Sequence, residues 1–130
     1  MQRDTPLILI VDDEPVIVEF VQKIYQEKGY LTFGATDGIA AVEIYQKEHP
    51  EISFIDVHMP FSPIDGIEVL RRIKAIDKDA NCVMLTRIDD EKVIEEARSL
   101  AALHYLLKPF ELEDLDKCIT EVEEKLKIKG

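Results

Sequence analysis

Five short apolar runs separated by amphipathic stretches constrain this chain more than any other feature. They are residues 7–11 (LILIV), 30–35 (YLTFGA), 52–57 (ISFIDV), 82–86 (CVMLT) and 104–108 (HYLLK). The first is apolar at every position, the pattern of a strand buried on both faces in a parallel sheet covered by helices. Helical stripes lie between the runs. Ile17, Phe20, Val21 and Ile24 share one face, as do Ile67, Leu70 and Ile73. Val93, Ala97 and Leu100 form a third stripe, and Leu112, Leu115, Ile119, Val122 and Leu126 a fourth. Pro15 suits the first turn of a helix, with Asp13 or Glu14 near its cap and Gly29 at its stop.

Strand and helix alternating in this way predict an α/β fold with right-handed crossovers: a doubly wound parallel sheet of five strands with five helices. The expected strand order is the flavodoxin-like 2-1-3-4-5, with the ligand crevice at the carboxyl ends of strands 1 and 3. Residues 1–130 read as one domain, without internal repeats, low-complexity segments or a linker. A formal net charge of −11 argues against direct nucleic-acid binding, which needs a basic stripe. An acidic surface serves solubility first; the sharper reading is that some carboxylates converge on a cation. No apolar run approaches the roughly 20 residues of a membrane span, and the amino terminus lacks a signal-peptide layout. Cys82 and Cys118 form no disulfide framework, which suggests a reducing compartment, so the cytoplasm is expected.

The carboxyl ends of the strands hold the chemistry. Strand 1 ends in Asp12-Asp13, strand 3 near Asp56, strand 4 in Thr86 and strand 5 in Lys108. Each alone has an ordinary reading, as a cap, a β-branched strand residue or a solvated lysine. Their coincidence at four strand ends does not. Crowded carboxylates repel unless a cation or proton intervenes. Oxygen-only ligands suit a hard ion such as Mg²⁺, and a lysine with a hydroxyl donor suits the spread charge of a transferring phosphoryl group. A carboxylate can itself be the nucleophile. The residues support phosphoryl chemistry and leave open which aspartate is attacked.

The segments LILIVDDEP, SFIDVHMP, VMLT and YLLKPF, in this order and spacing, resemble the signature of response-regulator receiver domains, from Leu7 to about Leu126. The resemblance implies that Asp56 is the phosphoacceptor. It implies that Asp13, Asp56 and the backbone carbonyl of His58 bind Mg²⁺ directly, with Asp12 acting through a metal-bound water. Lys108 would hold a phosphoryl oxygen, with a cis bond to Pro109. Thr86 would turn its hydroxyl to the phosphoryl group and Tyr105 would swing inward after it. The implied partners are a sensor histidine kinase or a histidine phosphotransfer protein, with a downstream effector reading the altered surface.

Four departures stand out. The loop FSPIDG is two residues longer than usual before Asp65-Gly66. Arg87 follows Thr86 where relatives carry a small residue, and is expected to obstruct hydrolysis unless it points to solvent. His58 and Ile88 occupy positions that influence phosphoryl lifetime in the family. Ala101-Ala102 stands where Gly-Ala is common. Elsewhere His49 is expected to end a helix and His104 to open strand 5. Phe20, Phe33 and Phe54 are core candidates, and Tyr30 and Tyr45 partly exposed packing residues. A haloacid-dehalogenase-type phosphatase is the alternative, but its nucleophile motif needs two aspartates separated by one residue, and Asp12 and Asp13 are adjacent. A flavin carrier of the same fold would need a Ser/Thr/Gly-rich phosphate loop where this chain has acids.

Overall fold

A computed structural model describes residues 5–87 and 90–129. The elements run β1 (Ile8–Val11), α1 (Pro15–Glu27), β2 (Thr32–Ala35), α2 (Gly38–Glu48), β3 (Ile52–Asp56), α3 (Gly66–Ile76), β4 (Cys82–Thr86), α4 (Glu91–Ser99), β5 (His104–Leu107) and α5 (Leu112–Lys129). The strands form one parallel sheet in the order β2-β1-β3-β4-β5, as expected. Side chains alternate along each strand, so two cores form, one on each face. Leu9, Val11, Ile55, Cys82 and Met84 face α2, α3 and α4. Ile8, Ile10, Ile52, Phe54, Val83 and Leu85 face α1 and α5. That two-sided burial is why LILIV has no polar position.

The helix starts follow the side-chain caps. Asp37 accepts from the Ala40 amide at 2.8 Å, Asp65 from Glu68 at 2.9 Å and Asp90 from Val93 at 3.4 Å. Glu14 is the N-cap residue of α1 without a side-chain bond; Asp12 instead accepts from the Glu14 amide at 2.9 Å. Gly29 follows α1 at φ 95°, and His49 ends α2 at φ 47°. The turn into β5 takes the left-handed conformation at Ala101, φ 59°, where a glycine would adopt it without strain.

Two packing expectations are corrected. The buried stripe of α1 is Val18, Val21 and Tyr25, while Ile17 is 37% and Phe20 58% exposed, so Phe20 is not a core residue. Tyr45 is buried rather than partly exposed, at 2%. The two buried tyrosines each found an acceptor for the hydroxyl, which removes the cost of burying it. Tyr25 donates to Asp116 at 2.7 Å, and Tyr45 to Asp77 at 3.3 Å. Phe54 is buried, Phe33 partly so, and Tyr30 remains half-buried. Burial pushes the Cys82 thiol up to about 12 and Cys118 to about 11, so neither is a nucleophile at neutral pH.

Candidate functional site

The parallel sheet delivers the carboxyl ends of its inner strands to one crevice. Asp12 directly follows β1 and Asp56 is the last residue of β3; they are 3% and 4% exposed. Asp13 is partly buried beside them, and the carboxylates of Asp12, Asp13 and Asp56 offer oxygens that all lie within 4.8 Å of one another. Lys108, the first residue past β5, places its ammonium 3.2 Å from Asp56 Oδ1. Its backbone amide donates to the Thr86 carbonyl at 2.7 Å, and its bond to Pro109 is cis. The sequence-predicted acids and lysine are therefore one cluster, held by three strands.

Gly66 sets how closely α3 approaches that cluster. Its amide donates to the Val57 carbonyl at 3.0 Å, and a Cβ there would overlap the carbonyl oxygen of Asp56. The lengthened loop that precedes it also reaches the site, since the Phe61 amide donates to Asp13 Oδ2 at 3.0 Å. Sequence reasoning noticed the extra length of that loop but not this contact. The Phe61 side chain is 89% exposed, which leaves the amide as the part of the residue that serves the site.

Electrostatics follow from burial. Asp56 is pushed above the usual carboxylate range, chiefly by burial, against the pull of Lys108 and a hydrogen bond from the His58 backbone amide. Asp12 is also raised, first by burial and then by the charge of Asp56, against the hydrogen bond from Glu14. One ammonium does not neutralise three carboxylates at this separation. An all-oxygen donor set with excess negative charge fits a hard divalent cation such as Mg²⁺, so the residues present suit the ion expected from the sequence.

Thr86 is buried at the end of β4, and among the described residues its hydroxyl has only a long contact, 3.5 Å, to the Arg87 carbonyl. Tyr105 pairs with Met84 across the strands, and Thr86 with Leu107, so Thr86 and Tyr105 stand on the same sheet face one alternation apart. Arg87 is exposed and has no ion-pair partner among the described residues. It lines a cleft of about 640 Å³ beside α3 and α4, with His58, Glu68, Arg71 and Glu96. On the α1 and β5 side, Asp12 and Lys108 also line a second cleft with Glu14, Ile17, Pro109 and Phe110. The exposure of Arg87 accords with the solvent-directed alternative. His58 Nε2 lies 3.4 Å from Asp90 Oδ2, while Ile88 lies outside the described residues.

Residues 8–120 match the family described as response regulator receiver domain. Among relatives, the sporulation initiation phosphotransferase F of Bacillus subtilis (strain 168) is 35% identical over 108 residues, covering 83% of this chain and 86% of that protein. The chemotaxis protein CheY of Halobacterium salinarum is 31% identical over 115 residues, covering 88% of this chain and 94% of its own length. Among solved structures, the Vibrio cholerae chemotaxis protein CheY4 superposes with a TM-score of 0.81 at 29% identity, covering 91% of this chain and 98% of that one.

Proposed function

The chain belongs to the response regulator receiver domains, phosphoryl-accepting signalling switches of two-component systems, and we propose that Asp56 is its acceptor. The observation that carries this is the placement of Asp56. It is a buried carboxylate at a strand end, within reach of Lys108 and beside two further acids. A carboxylate oxygen of Asp56 attacks the donor phosphorus in line, the bond to the leaving group breaks, and an acyl phosphate forms. Lys108 holds a phosphoryl oxygen and balances its charge. Asp13, Asp56 and the His58 backbone would hold Mg²⁺, with Asp12 beside them. When bound, that ion offsets the repulsion among the acids and draws charge from the phosphoryl oxygens.

The haloacid-dehalogenase alternative leaves Asp56 without a role, and nothing in the site supports it. A protein phosphodonor, a sensor histidine kinase or a histidine phosphotransfer protein, fits the surroundings of the site: Val16, Ile17 and Phe20 on α1 are exposed apolar residues, and Ile17 lines a cleft with Asp12 and Lys108. After phosphorylation Thr86 turns its hydroxyl to the new group, Tyr105 moves inward, and a downstream effector reads the changed surface of α4, β5 and α5. No helix among the described residues is long and apolar enough to cross a membrane, and we place the domain in the cytoplasm.

The test is incubation with acetyl phosphate and Mg²⁺, followed by intact mass. One added phosphate in the parent and none in Asp56→Asn is the expected result. Labelling that survives in Asp56→Asn and disappears in Asp12→Asn would overturn the assignment.

A further inference from the structure

Helix α4 packs on the core through Ala97, with Val93 beside it, and adds polar contacts at its ends. Only Ala97 of its residues is buried. Glu96 pairs with Arg71 of α3 at 3.5 Å, and Asp90, its N-cap, with His58 at 3.4 Å. At its carboxyl end, Arg98 reaches β5. Its guanidinium donates to the Tyr105 hydroxyl at 2.9 Å and sits 5.9 Å from the centroid of the same ring. One side chain thus engages both the polar tip and the face of Tyr105.

We propose that Arg98 is a positioning residue that holds Tyr105 against α4 at the surface, and so opposes its inward movement. The consequence for signalling rests on the reading of Tyr105 as part of the switch; the hold itself does not. The geometry is one-sided. Tyr105 has a donor and a cation on its outer side, whereas among the described residues the Thr86 hydroxyl has only the long contact to Arg87. An inward state gives up the hydrogen bond and the cation–π contact together. A ligand that favours the inward state therefore works against Arg98, and its apparent affinity is reduced by the population that Arg98 holds outward. Nothing in the sequence pointed to this pair: the two residues are seven apart, on different elements, and meet because the chain reverses at Ala101.

The experiment uses ring-labelled tyrosine and NMR on the full chain, which has four tyrosines. In the protein without phosphodonor or metal, Arg98→Ala should shift the Tyr105 ring resonances and leave those of Tyr25 and Tyr45 in place. Affinity for beryllofluoride, a phosphoryl mimic, should rise about threefold to tenfold, the equivalent of one surface hydrogen bond with its ring contact. Arg98→Lys, which keeps a donor and a cation, should restore most of the parent behaviour. In the Tyr105→Phe background Arg98→Ala should change the affinity much less, because the hydroxyl it holds is gone. Unmoved Tyr105 resonances, or an equal gain in both backgrounds, would overturn the proposal. If beryllofluoride perturbs nothing in the parent, the phosphoacceptor reading fails, and the ring resonances alone decide the role of Arg98.

Discussion

Gly66 stands so close to Asp56 that a single added methyl group would overlap the carbonyl oxygen of Asp56. The contact is backbone to backbone, so no side-chain rotation relieves it. The start of α3 and the end of β3 are therefore fitted to one another, and the carboxylate's position depends on a residue that does no chemistry.

Gly66→Ala should consequently impair phosphorylation by displacing Asp56 rather than by removing a functional group. We expect a loss of roughly 1–3 kcal/mol of stability, the usual range for overpacking. The rate of labelling by acetyl phosphate should fall at least tenfold. A parent-like rate would show that the strand end tolerates the displacement.

Buried charge in the acidic cluster makes stability depend on pH and on metal in opposite ways. Asp12 and Asp56 are raised above 3.8, so the folded state binds protons more tightly than the unfolded chain. Their contribution to stability therefore declines as pH rises from about 4 through the folded values, and stays low above them. Without metal, Asp56→Asn should melt a few degrees higher than the parent at neutral pH, with the gap closing on acidification. With Mg²⁺ at 100 times its dissociation constant the parent gains about 2.7 kcal/mol, and the order should reverse. Melting curves at several pH values, with and without Mg²⁺, check both signs.

Ser53 lies fully buried in β3 with no partner for its hydroxyl among the described residues. An unpaired buried hydroxyl costs about 1–3 kcal/mol. Ser53→Ala should raise stability by about 1 kcal/mol in denaturant unfolding and leave phosphorylation unchanged.

Ala101 occupies a left-handed conformation at φ 59° that disfavours any residue with a Cβ. Ala101→Gly removes that strain but adds freedom to the unfolded chain, for a net gain of roughly 0.5–1 kcal/mol. Equal stability of the two proteins would mean that the turn is already relaxed.

Arg87 is exposed on the cleft beside α3 and α4. Arg87→Ala should therefore alter the rate of acyl-phosphate hydrolysis by no more than about twofold, as for other surface substitutions. A several-fold faster mutant would instead restore the obstruction expected from sequence.

What the sequence determined by itself was whatever follows from period and position along the chain. Apolar runs such as LILIV specify strands buried on both faces, and a parallel sheet must then bring Asp12, Asp13, Asp56, Thr86 and Lys108 to a common edge. That logic needs no coordinates, because strand direction alone sets which end each residue occupies. Tertiary structure decided the matters that depend on partners distant in sequence. Tyr25 and Tyr45 are buried, rather than left at the surface, because Asp116 and Asp77 wait for their hydroxyls. Phe20 is exposed because α1 turns its Val18–Val21–Tyr25 stripe to the sheet. Phe61 lends the site a backbone amide, and Arg98 closes on Tyr105. A single side chain's orientation is set by which neighbours can satisfy its polar atoms, and those neighbours are chosen only when the elements pack.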